Sequence, residues 1–192
     1  LLPFRPRRAR PYLCSDEDIA QLLRSALDLP PAGGLRPWTY HTLLGLLSVA
    51  GLRVGEAIRL MDADVDLQEG LLTIRGTKFG KSRLVPLHPS AIAALRAYRR
   101  ERTKYVPADP AGPFFISTRG CRLGRSLSDR QAHRVFDQLR RKLGWVPRGS
   151  HGAARIHDLR HSFAVRRLLL WYEQGENVHR HMLALSTYMG HV

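Results

Sequence analysis

A chain of 192 residues with 44% hydrophobic content is long enough to bury the core of one ordinary domain. Lys and Arg number 31 against 16 Asp and Glu, and the resulting formal charge of +15 is that of a chain whose partner is a polyanion, nucleic acid first. No apolar run approaches the length of a bilayer, the basic residues are spread through every segment, and nothing resembles an export signal, all of which argues against membrane attachment.

The only two cysteines, Cys14 and Cys121, lie far apart in polar contexts. They suit a reducing cytoplasm and lack the paired spacing of a zinc site.

Residues 1–11 place Arg5, Arg7, Arg8 and Arg10 among prolines and read as an extended basic linker, with Arg8 and Arg10 suited to lie along a phosphate backbone. Ser15 followed by three acids predicts a helix cap, and Ile19, Leu22, Leu23 and Leu27 carry the helix to about Asp28. A second helix, Trp38 to Ala50, is too apolar for a surface and ends at Gly51. A short third helix from Leu52 to Leu60 then brings Arg53 to the junction of two buried helices. A guanidinium there needs an anion, either Glu56 one turn on or a substrate phosphate.

Leu71 to Arg75 and Ser82 to Leu87 predict a hairpin whose turn carries Lys78 and Lys81, and a short strand near Asp64 to Leu67 makes the sheet three-stranded. Pro89 to Arg102 is a helix with Ile92, Leu95 and Tyr98 inward and Arg96, Arg99, Arg100 and Arg102 outward. Phe114 to Ser117 reads as a short buried strand and Thr118 to Arg125 as an Arg-rich loop. Ser128 to Leu143 is a helix with Val135, Phe136 and Leu139 packed, and with Arg130, Arg134, Arg140, Arg141 and Lys142 on an outer face suited to DNA phosphates or simply to water. Ile156 opens a helix that runs through Trp171 to a stop at Gly175. Ile156, Leu159, Phe163 and Leu170 form its apolar stripe, and His157 and Arg160 share an adjacent edge. Val178 to Met189 is the last helix, and His191 follows Gly190. The predicted fold class is mostly α with a small antiparallel β-sheet.

Arg53, Lys78, His157, Arg160 and His191 are all cationic or able to become so, which suits phosphoryl transfer. Guanidiniums hold non-bridging oxygens while a lysine or imidazole protonates a leaving alkoxide, and no metal or other cofactor is required. Asp62, Asp64 and Asp66 do not form a ready Mg²⁺ site. His157 and His161 have the spacing of a zinc-protease pair, but Asp158 replaces its glutamate and no third ligand is evident.

Four segments, taken together, resemble the successive boxes of the tyrosine recombinases of the phage-integrase family. They are Ala50 to Glu56, Lys78 with Arg83-Leu84-Val85-Pro86-Leu87, His157 to Ala164, and Met189-Gly190-His191, in register over residues 12–192. The resemblance implies that Arg53 and Arg160 hold the scissile phosphate, that Lys78 is the general acid toward the departing 5′ oxygen and that His157 handles the nucleophile's proton. It also implies that His191 hydrogen-bonds a phosphate oxygen and that Glu56 braces the first arginine. The implied function is site-specific recombination of double-stranded DNA through a 3′-phosphotyrosine, by a tetramer on two duplexes, with Arg8, Arg10, Lys81, Arg83, Arg134 and Arg141 as further DNA contacts.

The family's nucleophilic tyrosine follows the last box histidine by roughly nine residues, and neither Tyr172 nor Tyr188 has that position. The expectation is a catalytic domain at 12–192, cut before its nucleophile, with 1–11 as the edge of an absent N-terminal DNA-clamping domain. On that expectation residues 1–192 are inactive by themselves. The rival readings are an inert DNA-binding remnant and a metal-dependent nuclease.

Overall fold

The computed structural model describes residues 10–76, 82–147 and 152–190. Helix α1, Asp16–Leu27, begins at a reciprocal cap in which the Ser15 hydroxyl accepts from the Asp18 N–H at 3.1 Å and the Asp18 carboxylate accepts from the Ser15 N–H at 2.9 Å. Helix α2, Leu35–Ala50, is the central element and packs against α1 and three later helices. Leu43, Leu44, Leu46 and Leu47 on it are buried, as its apolar composition predicts, and it stops where Gly51 turns left-handed with φ 59°. Helix α3, Val54–Ile58, follows after two residues.

Strands β1 (Val65–Asp66), β2 (Leu71–Ile74) and β3 (Arg83–Pro86) form an antiparallel sheet in chain order. Val65 pairs with Leu72 and Leu72 with Val85, so one buried column crosses the sheet. Helix α4, Pro89–Thr103, then packs on α2. Phe114, Phe115 and Ile116 are buried as expected, but they form no strand: two isolated bridges, Met61 to Pro113 and Ile116 to Ser126, stitch the segment in place. Tyr98 packs between the two phenylalanines at ring distances of 5.5 and 5.3 Å. Helices α5 (Asp129–Lys142), α6 (Ile156–Glu173) and α7 (Val178–Tyr188) complete the fold, which is mostly helical with one small sheet.

Several sequence expectations are corrected. Arg102 is buried instead of facing out. Its guanidinium donates to Asp62 at 2.9 Å and to the carbonyls of Pro113 and Phe114 at 3.3 and 3.1 Å, because the buried end of α4 needs a counter-ion and Asp62 supplies one. Arg96 stays exposed, as expected, while donating to the Leu67 carbonyl, whereas Arg99 is half-buried, donates to the Val65 carbonyl and pairs with Asp62 at 3.3 Å. Arg140 is likewise drawn in by Asp137 and only 17% of its side chain is exposed. Leu170 is 40% exposed, since α6 runs past the core after Phe163. Cys14 is buried, its N–H donating to the Ser162 hydroxyl at 2.8 Å, whereas Cys121 is exposed.

The aspartates have separate structural tasks. Asp62 holds Arg102, Asp64 pairs with Arg75, and Asp66 accepts the Gln68 and Glu69 N–H groups, each at 2.9 Å, in the turn before β2. Among the described residues no cluster of His, Cys, Asp or Glu can hold a metal ion, and no helix is long and apolar enough to cross a membrane.

Candidate active site

The left-handed turn at Gly51 ends α2 against α6 and starts the chain toward α3. A Cβ at Gly51 would lie 2.3 Å from the Phe163 ring, so only glycine allows both the turn and the contact. Arg53 is then the N-cap residue of α3, with Glu56 at the third helical position. The Glu56 carboxylate accepts from the Arg53 N–H at 2.9 Å and from Arg53 Nη1 at 2.9 Å. It accepts also from Arg83 Nη1 at 3.1 Å and Nη2 at 2.8 Å. Burial pushes this carboxyl up, but hydrogen bonds from Arg83 and Arg53 outweigh it and hold the group at about 2. Glu56 is therefore ionised at neutral pH and aligns two guanidiniums.

Arg160, one turn into α6, is 2% exposed. It donates through Nη1 to the Gly51 carbonyl and through Nη2 to the Met189 carbonyl at 2.6 Å. Arg53 Nη2 donates to the next carbonyl, Gly190, at 3.1 Å. The two arginines thus converge on the turn that ends α7, next to Arg83, which a Cβ on Gly190 would approach within 2.9 Å. Burial and then the neighbouring Arg53 lower Arg160 to about 10, which leaves it protonated at pH 7. Three guanidiniums around one carboxylate leave a surplus of positive charge, a setting fitted to an oxyanion.

His157 occupies the exposed edge of α6 beside this group. Partial burial, then His161 and Arg160, lower it below the ordinary histidine value, so its neutral form is favoured. The His157 and His161 rings meet edge to face at 4.8 Å, and His161 Nδ1 lies 3.1 Å from the buried Asp158 carboxylate. The same carboxylate accepts the Arg155 N–H at 2.8 Å and so caps α6.

Arg53, Glu56, His157 and Arg160 are brought together. Lys78 and His191 lie outside the described residues, as do Lys81, Arg8, Arg5, Arg7 and His151. Arg10, Arg134 and Arg141 are exposed, and Arg141 pairs with Asp137 at 2.8 Å. Arg83, assigned from sequence to DNA, is held by Glu56 with 14% of its side chain exposed and joins the arginine pair. That role and those of the Met189 and Gly190 carbonyls were missed. A buried glutamate flanked by a single nearby arginine is the one signal that points to a second, distant cation.

The last two described tyrosines have different settings. The Tyr188 hydroxyl donates to the Ala50 carbonyl at 3.1 Å, its ring stacks on Phe163, and burial raises its pKa. Tyr172 is 75% exposed on the far half of α6.

A family model described as the phage integrase family matches residues 16–170. The chain is 52% identical over its whole length to a protein of Sinorhizobium fredii named integrase/recombinase y4rB, of which the match covers 61%. It is 36% identical to the tyrosine recombinase XerC of Xanthomonas campestris over 84% of this chain and 44% of that one. The chain thus spans roughly half of each relative's length. The crystal structure of XerA recombinase superposes on all of the chain and 59% of its own length with a TM-score of 0.72 at 24% identity, so the fold is shared.

Proposed function

The chain belongs to the phage integrase family, and from that premise we propose that residues 12–192 form the catalytic domain of a site-specific DNA recombinase. In this reading Arg53 and Arg160 hold the non-bridging oxygens of the scissile phosphate. Their positive charge is matched to the negative charge that develops as the 3′-phosphotyrosine bond forms and the 5′ oxygen departs. Neutral His157 accepts the attacking hydroxyl's proton, Lys78 protonates the leaving 5′ oxygen, and His191 adds a hydrogen bond to the phosphate. Glu56 aims Arg53. The attacking hydroxyl is that of neither Tyr172 nor Tyr188, and the working assembly is a tetramer on two duplexes.

The observation that carries this reading is the convergence of Arg53 and Arg160 on one turn, with Arg160 almost wholly buried and still charged. In the protein carried to the length of its relatives, Arg160→Lys keeps the charge but loses the planar fork. Strand cleavage is expected to fall at least 100-fold while duplex affinity changes less than threefold. Cleavage at a near-normal rate would overturn the assignment. Residues 1–192 alone, mixed with nicked target duplex and denatured, are expected to leave no protein-linked DNA. An adduct mapped to Tyr172 or Tyr188 would show that the hydroxyl assignment is wrong.

A further inference from the structure

His161 follows Arg160 on α6 and is given no task by the proposed reaction. Its side chain is 36% exposed, while that of Asp158, one turn earlier, is 1% exposed. The Asp158 carboxylate divides its two oxygens. Oδ2 accepts the Arg155 N–H at 2.8 Å, and Oδ1 lies 3.1 Å from His161 Nδ1 and 3.4 Å from Arg155 Nη2. A carboxylate can only accept, so His161 Nδ1 carries the hydrogen and the ring is fixed in tautomer and in orientation. Asp158 is itself anchored: the buried Ser162 hydroxyl donates to its backbone carbonyl at 2.8 Å and accepts the Cys14 N–H at 2.8 Å.

Residues four apart on a helix share a face, and the His157 ring meets this fixed ring at 4.8 Å between centroids with the planes at 89°. Among the described residues no hydrogen bond holds the His157 ring, which sits at an exposed position of α6. An imidazole at such a position samples its staggered χ1 wells unless a neighbour blocks them, and the edge-to-face contact with His161 is that block. We propose that His161, fixed by Asp158, is a positioning residue that holds the His157 ring in the orientation able to take the attacking hydroxyl's proton. This rests on the proton-acceptor reading of His157 above. The electrostatics agree with close contact: after burial, His161 is the first group that lowers His157, ahead of Arg160 and Arg155, with Asp158 acting in the opposite sense. The rigidity of the core is thus passed from a buried carboxylate through a partly exposed ring to a group that must stay open to substrate.

The test has two parts. In the 192-residue chain, NMR couplings are expected to show one χ1 rotamer for His157 in the wild type and averaging over several in His161→Asn. Asparagine keeps an N–H where Nδ1 stood, and with it the tie to Asp158, but has no ring to meet His157. In the protein carried to the length of its relatives, single-turnover cleavage of a nicked target duplex is compared for the wild type, His161→Asn, His157→Gln and the double variant at saturating protein. A ring freed among three wells spends roughly a third of its time in the productive one and is less well aimed within it, so His161→Asn is expected to cleave about tenfold more slowly. Its duplex affinity is expected to be unchanged and its Tm to stay within about two degrees of wild type. The double variant is expected to cleave no more slowly than His157→Gln alone, since a residue that acts through His157 then has nothing to act on. Losses that multiply in the double variant would give His161 a separate task and overturn the proposal. So would averaged His157 couplings in the wild type, a His161→Asn variant that cleaves at the full rate, or one that is slow only because its Tm or affinity has fallen. His157→Gln cleaving at the wild-type rate would instead be the failure of the proton-acceptor reading, and would remove this proposal with it.

Discussion

Glu56 is the residue on which the arginine group depends. Its carboxyl is held at about 2 against an ordinary 4.5, so the folded state favours the ionised form. The stabilisation is complete above pH 4.5 and is lost as the pH falls toward 2, and it amounts to roughly 3 kcal/mol. Glu56→Gln is expected to lower stability by about that amount at pH 7 and to flatten the acid limb between pH 4.5 and 2, as read by urea unfolding across pH. An unchanged acid limb would show that Glu56 is not the titrating brace. His157 offers a second check. Burial is the first cause of its lowered value and His161 the largest charged one, so His161→Ala is expected to raise the His157 titration in an NMR experiment, with burial and then Arg160 holding it below the ordinary histidine value.

The elements differ in how legible they were. The seven α-helices of the described residues follow from caps and apolar spacing, and Ser15, Pro89 and Ser128 mark starts that the structure keeps to within a residue. The three-stranded sheet follows from its β-branched runs. Phe114 to Ile116 reads as a strand because burial and aromatic content mimic one, yet its backbone finds only isolated bridges. Arg102 and Arg140 read as outward because helical spacing says which residues share a face, not where an aspartate waits on another segment. The same limit hid Arg83, 27 residues from Glu56 in sequence. Arg53, Glu56, His157 and Arg160 were legible because short motifs put them there, whereas the carbonyls that tether two of them belong to backbone and leave no side-chain signature. At the α2 to α3 corner, Gly51→Ala combines a left-handed φ with a clash on Phe163. It is expected to destabilise the chain by more than about 2 kcal/mol. Adding Phe163→Ala should not restore wild-type stability, because the backbone strain remains. A Tm within two degrees of wild type for Gly51→Ala would refute this account of the corner.

For the whole molecule, the surplus of charge predicts how it meets DNA. If six or more phosphates are neutralised, affinity for duplex should drop about 10³-fold or more between 50 and 200 mM salt. A fluorescence anisotropy titration that shows less than a tenfold drop would mean that the charge serves solubility instead.

The carbonyl tethers at the end of α7 carry a last consequence. An arginine side chain free to rotate loses about 2 kcal/mol of entropy when a ligand fixes it. Arg160 has already lost it to the Gly51 and Met189 carbonyls, and Arg53 has lost part of it to Gly190 and Glu56. In the proposed reading the guanidiniums are aimed before a phosphate arrives, and the expense of aiming them is charged to folding. On that proposal the small cluster of Phe163, Leu185 and Met189 that seats α7 on α6 is a remote determinant of phosphate affinity. Loosening it would let both arginines wander while every cation of the site remained in place.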